Sequence, residues 1–133
     1  MAIRFLVLIT ATVLAFSKLA NAGPSYNYYD EIAQATCTAM NTRAGWVFAV
    51  RRKCNSWTLP CQYICSSPSL AAQDPSVSSR GLECFNSLHV YQDRPVLPSD
   101  IQSGTNMLGL EVYRYQSCYS GSCGPNYCCC RSK

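Results

Sequence analysis

Ten cysteines are the residues of this chain best equipped for chemistry, and four of them stand in the eight-residue run CGPNYCCC, Cys123 to Cys130. Thiols that close together can hold a metal, cycle between redox states or form disulfides, and their spacing separates these uses. A structural zinc site calls for CxxC pairs, or one CxxC with two histidines. The chain has no CxxC and one histidine, His89. Redox catalysis also favours CxxC at a helix start. The disulfide reading therefore leads: Cys37, Cys54, Cys61, Cys65, Cys84, Cys118, Cys123, Cys128, Cys129 and Cys130 are all taken as half-cystines, an even number that permits complete pairing. No metal and no other cofactor is expected.

The compartment agrees. Residues 1–22 have the pattern of an export leader: Arg4, an apolar run from Phe5 to Phe16, then Ala20-Asn21-Ala22 ahead of Gly23, with cleavage predicted after Ala22. A bilayer span needs about 20 apolar residues; this run has 12 and Lys18 soon follows. The expectation is a secreted, extracellular protein without a transmembrane anchor, in surroundings where disulfides persist. Eleven Lys and Arg, two of them (Arg4 and Lys18) in the leader, face seven Asp and Glu. That mild excess argues against nucleic acid as a partner, because such binding draws its affinity from neutralising many phosphates. The one charge cluster, Arg51-Arg52-Lys53, is a candidate surface contact or processing site; a solvated strand end is the plainer reading.

The elements that must position the cysteines can be read in outline. Residues 23–29 are taken as a flexible arm and 30–133 as a single disulfide-rich domain. Asp30 is expected to cap a helix through about Arg43, with Ile32, Ala35, Thr36, Ala39 and Met40 at helical spacing and Gly45 beyond its end. Trp46 to Val50 reads as a largely buried strand. Thr58-Leu59-Pro60 opens a second helix that holds CQYIC, so that Cys61 and Cys65 share a face one turn apart. Residues 66–81, rich in Ser and broken by Pro68 and Pro75, are expected to be mostly loop with a short turn at Leu70–Gln73. Leu82 to Tyr91 alternates as a strand with Leu82, Cys84, Leu88 and Val90 on one side. A long loop over 92–109, a strand over Leu110–Tyr115 and a final strand over Tyr127–Arg131 complete an α+β, disulfide-rich fold: one or two short helices on a small, mainly antiparallel sheet. Side chains of a strand alternate in direction, so Cys128 and Cys130 should face one way and Cys129 the other. Ten cysteines allow roughly 945 complete pairings, and spacing alone does not choose among them.

Cys61-x-x-x-Cys65, Gly121-x-Cys123 and Cys128-x-Cys130 occur in the order found in the cysteine-stabilised αβ folds, the defensins, macins and scorpion-type toxins, which this tail resembles. The resemblance implies a helix clamped to a strand by joining Cys61 and Cys65 to Cys128 and Cys130. The chain departs from that pattern in the 57 residues between Cys65 and Cys123, and in Cys37, Cys84, Cys118 and Cys129, which fall outside it. In size and cysteine load the chain is similar, by type only, to cysteine-rich proteins secreted into mucus or shell matrix.

Three functional classes remain. A non-enzymatic extracellular matrix component, structural or binding, is favoured: nine tyrosines, among them Tyr26, Tyr28, Tyr29, Tyr113, Tyr115 and Tyr119, offer aromatic contact area to a matrix or surface partner. A secreted effector, antimicrobial or toxin-like, draws on export, disulfides and Arg51-Arg52-Lys53 near Trp46, Phe48 and Trp57. A small secreted hydrolase is the third. It would need His89, or a pair among Glu31, Glu83, Asp93, Asp100 and Glu111, brought into catalytic geometry, and no motif does so.

Overall fold

A computed structural model describes residues 27–55, 57–92 and 109–133. The leader, the first part of the arm and most of the loop over 92–109 lie outside these residues. The chain forms helix α1 (Tyr28–Met40), strand β1 (Val47–Arg51), helix α2 (Cys61–Cys65), helix α3 (Pro68–Ala71), and strands β2 (Leu82–Val90), β3 (Val112–Arg114) and β4 (Tyr127–Ser132). The strands make one antiparallel sheet in the order β1-β4-β2-β3. The cysteine-bearing β4 thus lies between two partners, and the α+β reading holds.

Helix α1 begins earlier than expected. Asn27, not Asp30, is the cap: its Oδ1 accepts from the Asp30 backbone N–H at 3.1 Å, while the Asp30 carboxylate accepts from the Asn27 N–H at 3.0 Å, a reciprocal capping box. The supposed arm is therefore helical over Tyr28 and Tyr29. The helix also stops at Met40, before Arg43, because Asn41 takes an extended conformation (ψ 130°). Residues 66–81 hold more structure than a loop. Pro68 stands in the first turn of α3, where its missing N–H costs nothing. A further turn follows, in which Asp74 accepts from the Ser76 N–H at 2.9 Å.

The sheet has two apolar faces. On one, Cys61 and Cys65 of α2 pack with Ala71, Val77, Leu82, Cys128 and Cys130. On the other, Ala33 and Cys37 of α1 pack with Leu88, Val90, Tyr127 and Cys129. The result is a three-layer arrangement, α1 below the sheet and α2–α3 above it. Strand β2 serves both layers because it bulges. Cys84 pairs with Cys130 and Asn86 with Cys129, leaving Phe85 as one extra residue. Since strand side chains alternate, that insertion reverses the facing of everything beyond it. Leu82 and Cys84 belong to the α2 face, Leu88 and Val90 to the α1 face, which corrects the expectation of a common side.

Strand β1 is half-buried, not largely buried, because it lies at the sheet edge, with Trp46 just before it 57% exposed. An edge strand leaves N–H and C=O groups open to pairing with other chains. Here Gln34 of α1 covers two of them: its Nε2 donates to the Val47 carbonyl at 2.8 Å and its Oε1 accepts from the Ala49 N–H at 2.7 Å. A side-chain amide thus stands where a neighbouring strand would.

Candidate functional site

All ten cysteines are disulfide-bonded, as Cys37–Cys129, Cys54–Cys123, Cys61–Cys128, Cys65–Cys130 and Cys84–Cys118. The consecutive triplet divides as strand alternation dictates: Cys129 goes down to α1, while Cys128 and Cys130 go up to the two cysteines of α2. The last two bridges form the helix-to-strand clamp that the cysteine-stabilised αβ resemblance implies. Every cysteine sulfur is thus engaged in a bridge.

The three cations of the tribasic run are engaged in different ways. Arg51 ends β1 and pairs with Asp30, its Nε donating to Asp30 Oδ1 at 2.8 Å and its Nη2 to Oδ2. The Tyr127 hydroxyl also donates to Asp30 Oδ1, at 2.8 Å. This carboxylate, 7% exposed, is held well below the usual carboxylate range by the Arg51 guanidinium above all, then by the Asn27 N–H and the Tyr127 hydroxyl, against the opposing effect of burial. The same environment pushes the Tyr127 phenol up, through burial first and its bond to Asp30 second. The Arg51–Asp30–Tyr127 unit is a tie between α1, β1 and β4.

Arg52 turns inward. It is 4% exposed, and its Nε donates to the Leu59 carbonyl at 2.9 Å, its Nη1 to Pro125 at 2.8 Å and its Nη2 to Ser120 at 3.3 Å. Burial lowers its pKa from the ordinary arginine value, yet the guanidinium's planar fork of donors suits three carbonyls that no helix or strand satisfies. Residues 53–60 and 120–126 are irregular, and Arg52 supplies the donors they lack. Lys53 alone of the three is exposed without an ion pair among the described residues. The three residues line one open cleft together with Asn27, Gln92, Asn126 and Tyr127, two of them as cations that also tie the fold together and Lys53 as a solvated one.

His89 is similarly engaged, its Nδ1 2.5 Å from the Gly124 carbonyl oxygen and its ring edge-on to Tyr91. Of the carboxylates considered for catalysis, Glu83 is bound to Arg43 and Arg131, while Asp93 and Asp100 fall outside the described residues. What the frame does offer to its surroundings is aromatic. Tyr28, Trp46, Trp57, Tyr63, Tyr113 and Tyr119 are all half exposed or more, and Tyr113 meets Tyr115 edge to face with centroids 4.8 Å apart. Burial, and then neighbouring Tyr91 and Tyr113, push the Tyr115 phenol up. No protein-family model matches this chain, and comparison with curated proteins and with solved structures yields no match.

Proposed function

We propose that the protein is a secreted, non-enzymatic component of an extracellular matrix of the mucus or shell-matrix kind, a stapled frame that presents aromatic side chains to an extracellular partner. The observation that carries this reading is the contrast between a frame fixed by five disulfides, three of them buried, and a surface from which large rings project. Isolated exposed rings are ordinary on soluble proteins, but tyrosine and tryptophan supply much contact area at little conformational cost. The titratable groups that stand far from ordinary behaviour, Asp30 and Tyr127, are joined to each other and to Arg51, an arrangement suited to holding elements together. Separation of the native secretion into soluble fluid and insoluble matrix tests the reading. Retention in the insoluble fraction after a high-salt wash is expected, and recovery wholly in the fluid would overturn it.

A second reading, a secreted effector of defensin or toxin type, is favoured by one feature, the double clamp from Cys61 and Cys65 to Cys128 and Cys130. The engagement of Arg51 and Arg52 in structure weakens its cationic side. Leakage of anionic vesicles by the oxidised protein at micromolar concentration would support it, and intact vesicles would remove its membrane-active form.

A further inference from the structure

One cleft gathers two of the exposed rings, Tyr63 and Tyr119. It has a volume of about 470 Å³ and is bounded by the outward face of α2 (Gln62, Tyr63), by the loop after β3 (Gln116, Tyr119) and by the bulged stretch of β2 at Glu83–Phe85. We propose that this cleft binds a neutral, β-linked oligosaccharide, which deepens the matrix reading and rests on it for its biological setting.

The lining matches what such a ligand presents. A pyranose with equatorial hydroxyls has apolar C–H faces and a polar rim, so its site needs aromatic rings beside groups that both donate and accept hydrogen bonds. Tyr63 is 57% and Tyr119 70% exposed, one on each wall. The side-chain amides of Gln62 and Gln116 have no hydrogen-bond partner among the described residues, and an amide can give and take at once. Glu83 is paired with Arg43 and Arg131, and Lys133 is the remaining charge of the lining. A single ammonium is a poor match for a polyanion, whose binding draws on many cations, whereas rings and amides suit an uncharged ligand.

The walls are also fixed before any ligand arrives. The Gln62 N–H donates to the Cys118 carbonyl at 3.0 Å, joining the start of α2 to the opposite loop. The Cys84–Cys118 bridge ties that loop to β2, and Cys61–Cys128 and Cys65–Cys130 tie α2 to β4. Gln116 is the one non-glycine residue with positive φ among those described, at 52°. This left-handed conformation is disfavoured for a residue with a Cβ. It is held by the Gln116 N–H donating to Asn86 Oδ1 at 3.0 Å, within the cleft wall that Gln116 lines. Backbone strain of this sort collects at binding sites. A site already rigid loses less entropy when it binds.

A peptide fits less well. Strand addition needs a regular open edge, but here the pairing of β2 with β3 ends at Leu88 and the Phe85 bulge follows. A docked helix needs a continuous apolar groove, and amides interrupt this one.

Titration of the oxidised full chain with the hexasaccharides of β-1,4-linked N-acetylglucosamine and of β-1,4-linked glucose, followed by the ring resonances of Tyr63 and Tyr119, tests the proposal. Saturable shifts with a dissociation constant near 0.1 mM, on the order of a weak specific complex, are expected for at least one of them. The Tyr63→Ala and Tyr119→Ala variants should each weaken binding about tenfold or more, and Gln62→Ala by about threefold. Glu31→Gln, on the first turn of α1, should leave binding unchanged. Both tyrosines are exposed, so unaltered disulfide maps are expected for their variants; should either misfold, the Gln62→Ala titration decides. No shift with either sugar at about 5 mM, shifts that the cleft variants do not affect, or capture of a peptide at these residues in place of sugar would overturn the inference. Matrix retention without sugar binding sinks this proposal alone, and sugar binding by a protein recovered only from fluid sinks only the matrix reading.

Discussion

Asp30 and Arg52 show how much of this fold hangs on single polar side chains. Asp30 closes the cap of α1, receives Arg51 and accepts from Tyr127. Its folded-state carboxyl lies below the ordinary carboxylate pKa of about 3.9, so its contribution is fully present above that value and is lost as the pH falls below it. Tyr127 works in the opposite sense: its folded pKa is raised, so its contribution holds below about pH 10 and fades above it. Stability of the wild type should therefore decline from about pH 5 downward, and Asp30→Asn should flatten that acid limb while lowering stability at neutral pH by about 2 kcal/mol. Denaturant melts at a series of pH values check both. Arg52 is the stricter case, because its removal would strand three carbonyls. Arg52→Met should cost about 2–4 kcal/mol, and Arg52→Lys should recover only part of it, since an ammonium lacks the planar fork. Faster amide exchange, concentrated in residues 53–60 and 120–126, would mark the loss as local. No sequence rule names the carbonyls such a cation will meet, because two of them, on Ser120 and Pro125, lie 68 and 73 residues away from it in the chain.

At the scale of elements, the strands and helices were legible where periodicity is local, and not where a tertiary contact decides. The final strand stands within a residue of its expected bounds, after the Gly124-Pro125-Asn126 turn. The helix through CQYIC instead starts at Cys61 with Pro60 as its cap, later than the expected opening at Thr58, whose hydroxyl is bonded to Lys53 and Asn55. The bulge was not legible: LECFNSLHV alternates acceptably in either register, and only the pairing with β4 reveals that Phe85 is extra. Nor could Gln34 be recognised as an edge cover, since its role depends on where α1 lies across the sheet. The cleft was missed for the same reason. Tyr63 and Tyr119 are far apart in sequence, and neither carries a motif. Of these, Gln34 gives the sharpest test. Gln34→Ala leaves the Val47 carbonyl and the Ala49 N–H open on a half-buried edge, which should cost about 1–2 kcal/mol and expose a template for strand pairing. Concentration-dependent association in analytical ultracentrifugation is expected for the variant and not for the parent, whereas Gln34→Glu, which keeps the acceptor but not the donor, should fall between them.

At the scale of the whole molecule, the five bridges divide by depth. Cys37, Cys61, Cys65, Cys128, Cys129 and Cys130 are at most 1% exposed, so the three bridges that converge on β4 are sealed inside the two apolar layers. Cys84–Cys118 is half-buried, and both sulfur-bearing residues of Cys54–Cys123 are exposed. A thiolate can attack only a disulfide that it can reach. Mild reduction should open Cys54–Cys123 first and Cys84–Cys118 second, and the β4 bridges only as the sheet itself comes apart. The first opening loosens the irregular segments around Arg52 while its three carbonyl bonds persist, so the fold should survive with a modest loss of stability. Loss of Cys37–Cys129 is another matter. It closes a separation of 92 residues and is the one covalent tie between α1 and the sheet, so Cys37→Ala with Cys129→Ala should cost about 4 kcal/mol or more, close to the whole stability of a small domain. Alkylation of thiols trapped along a reduction series, with peptide mapping of each species, gives the order directly. Early opening of any β4 bridge would mean that the two layers part more readily than their burial implies.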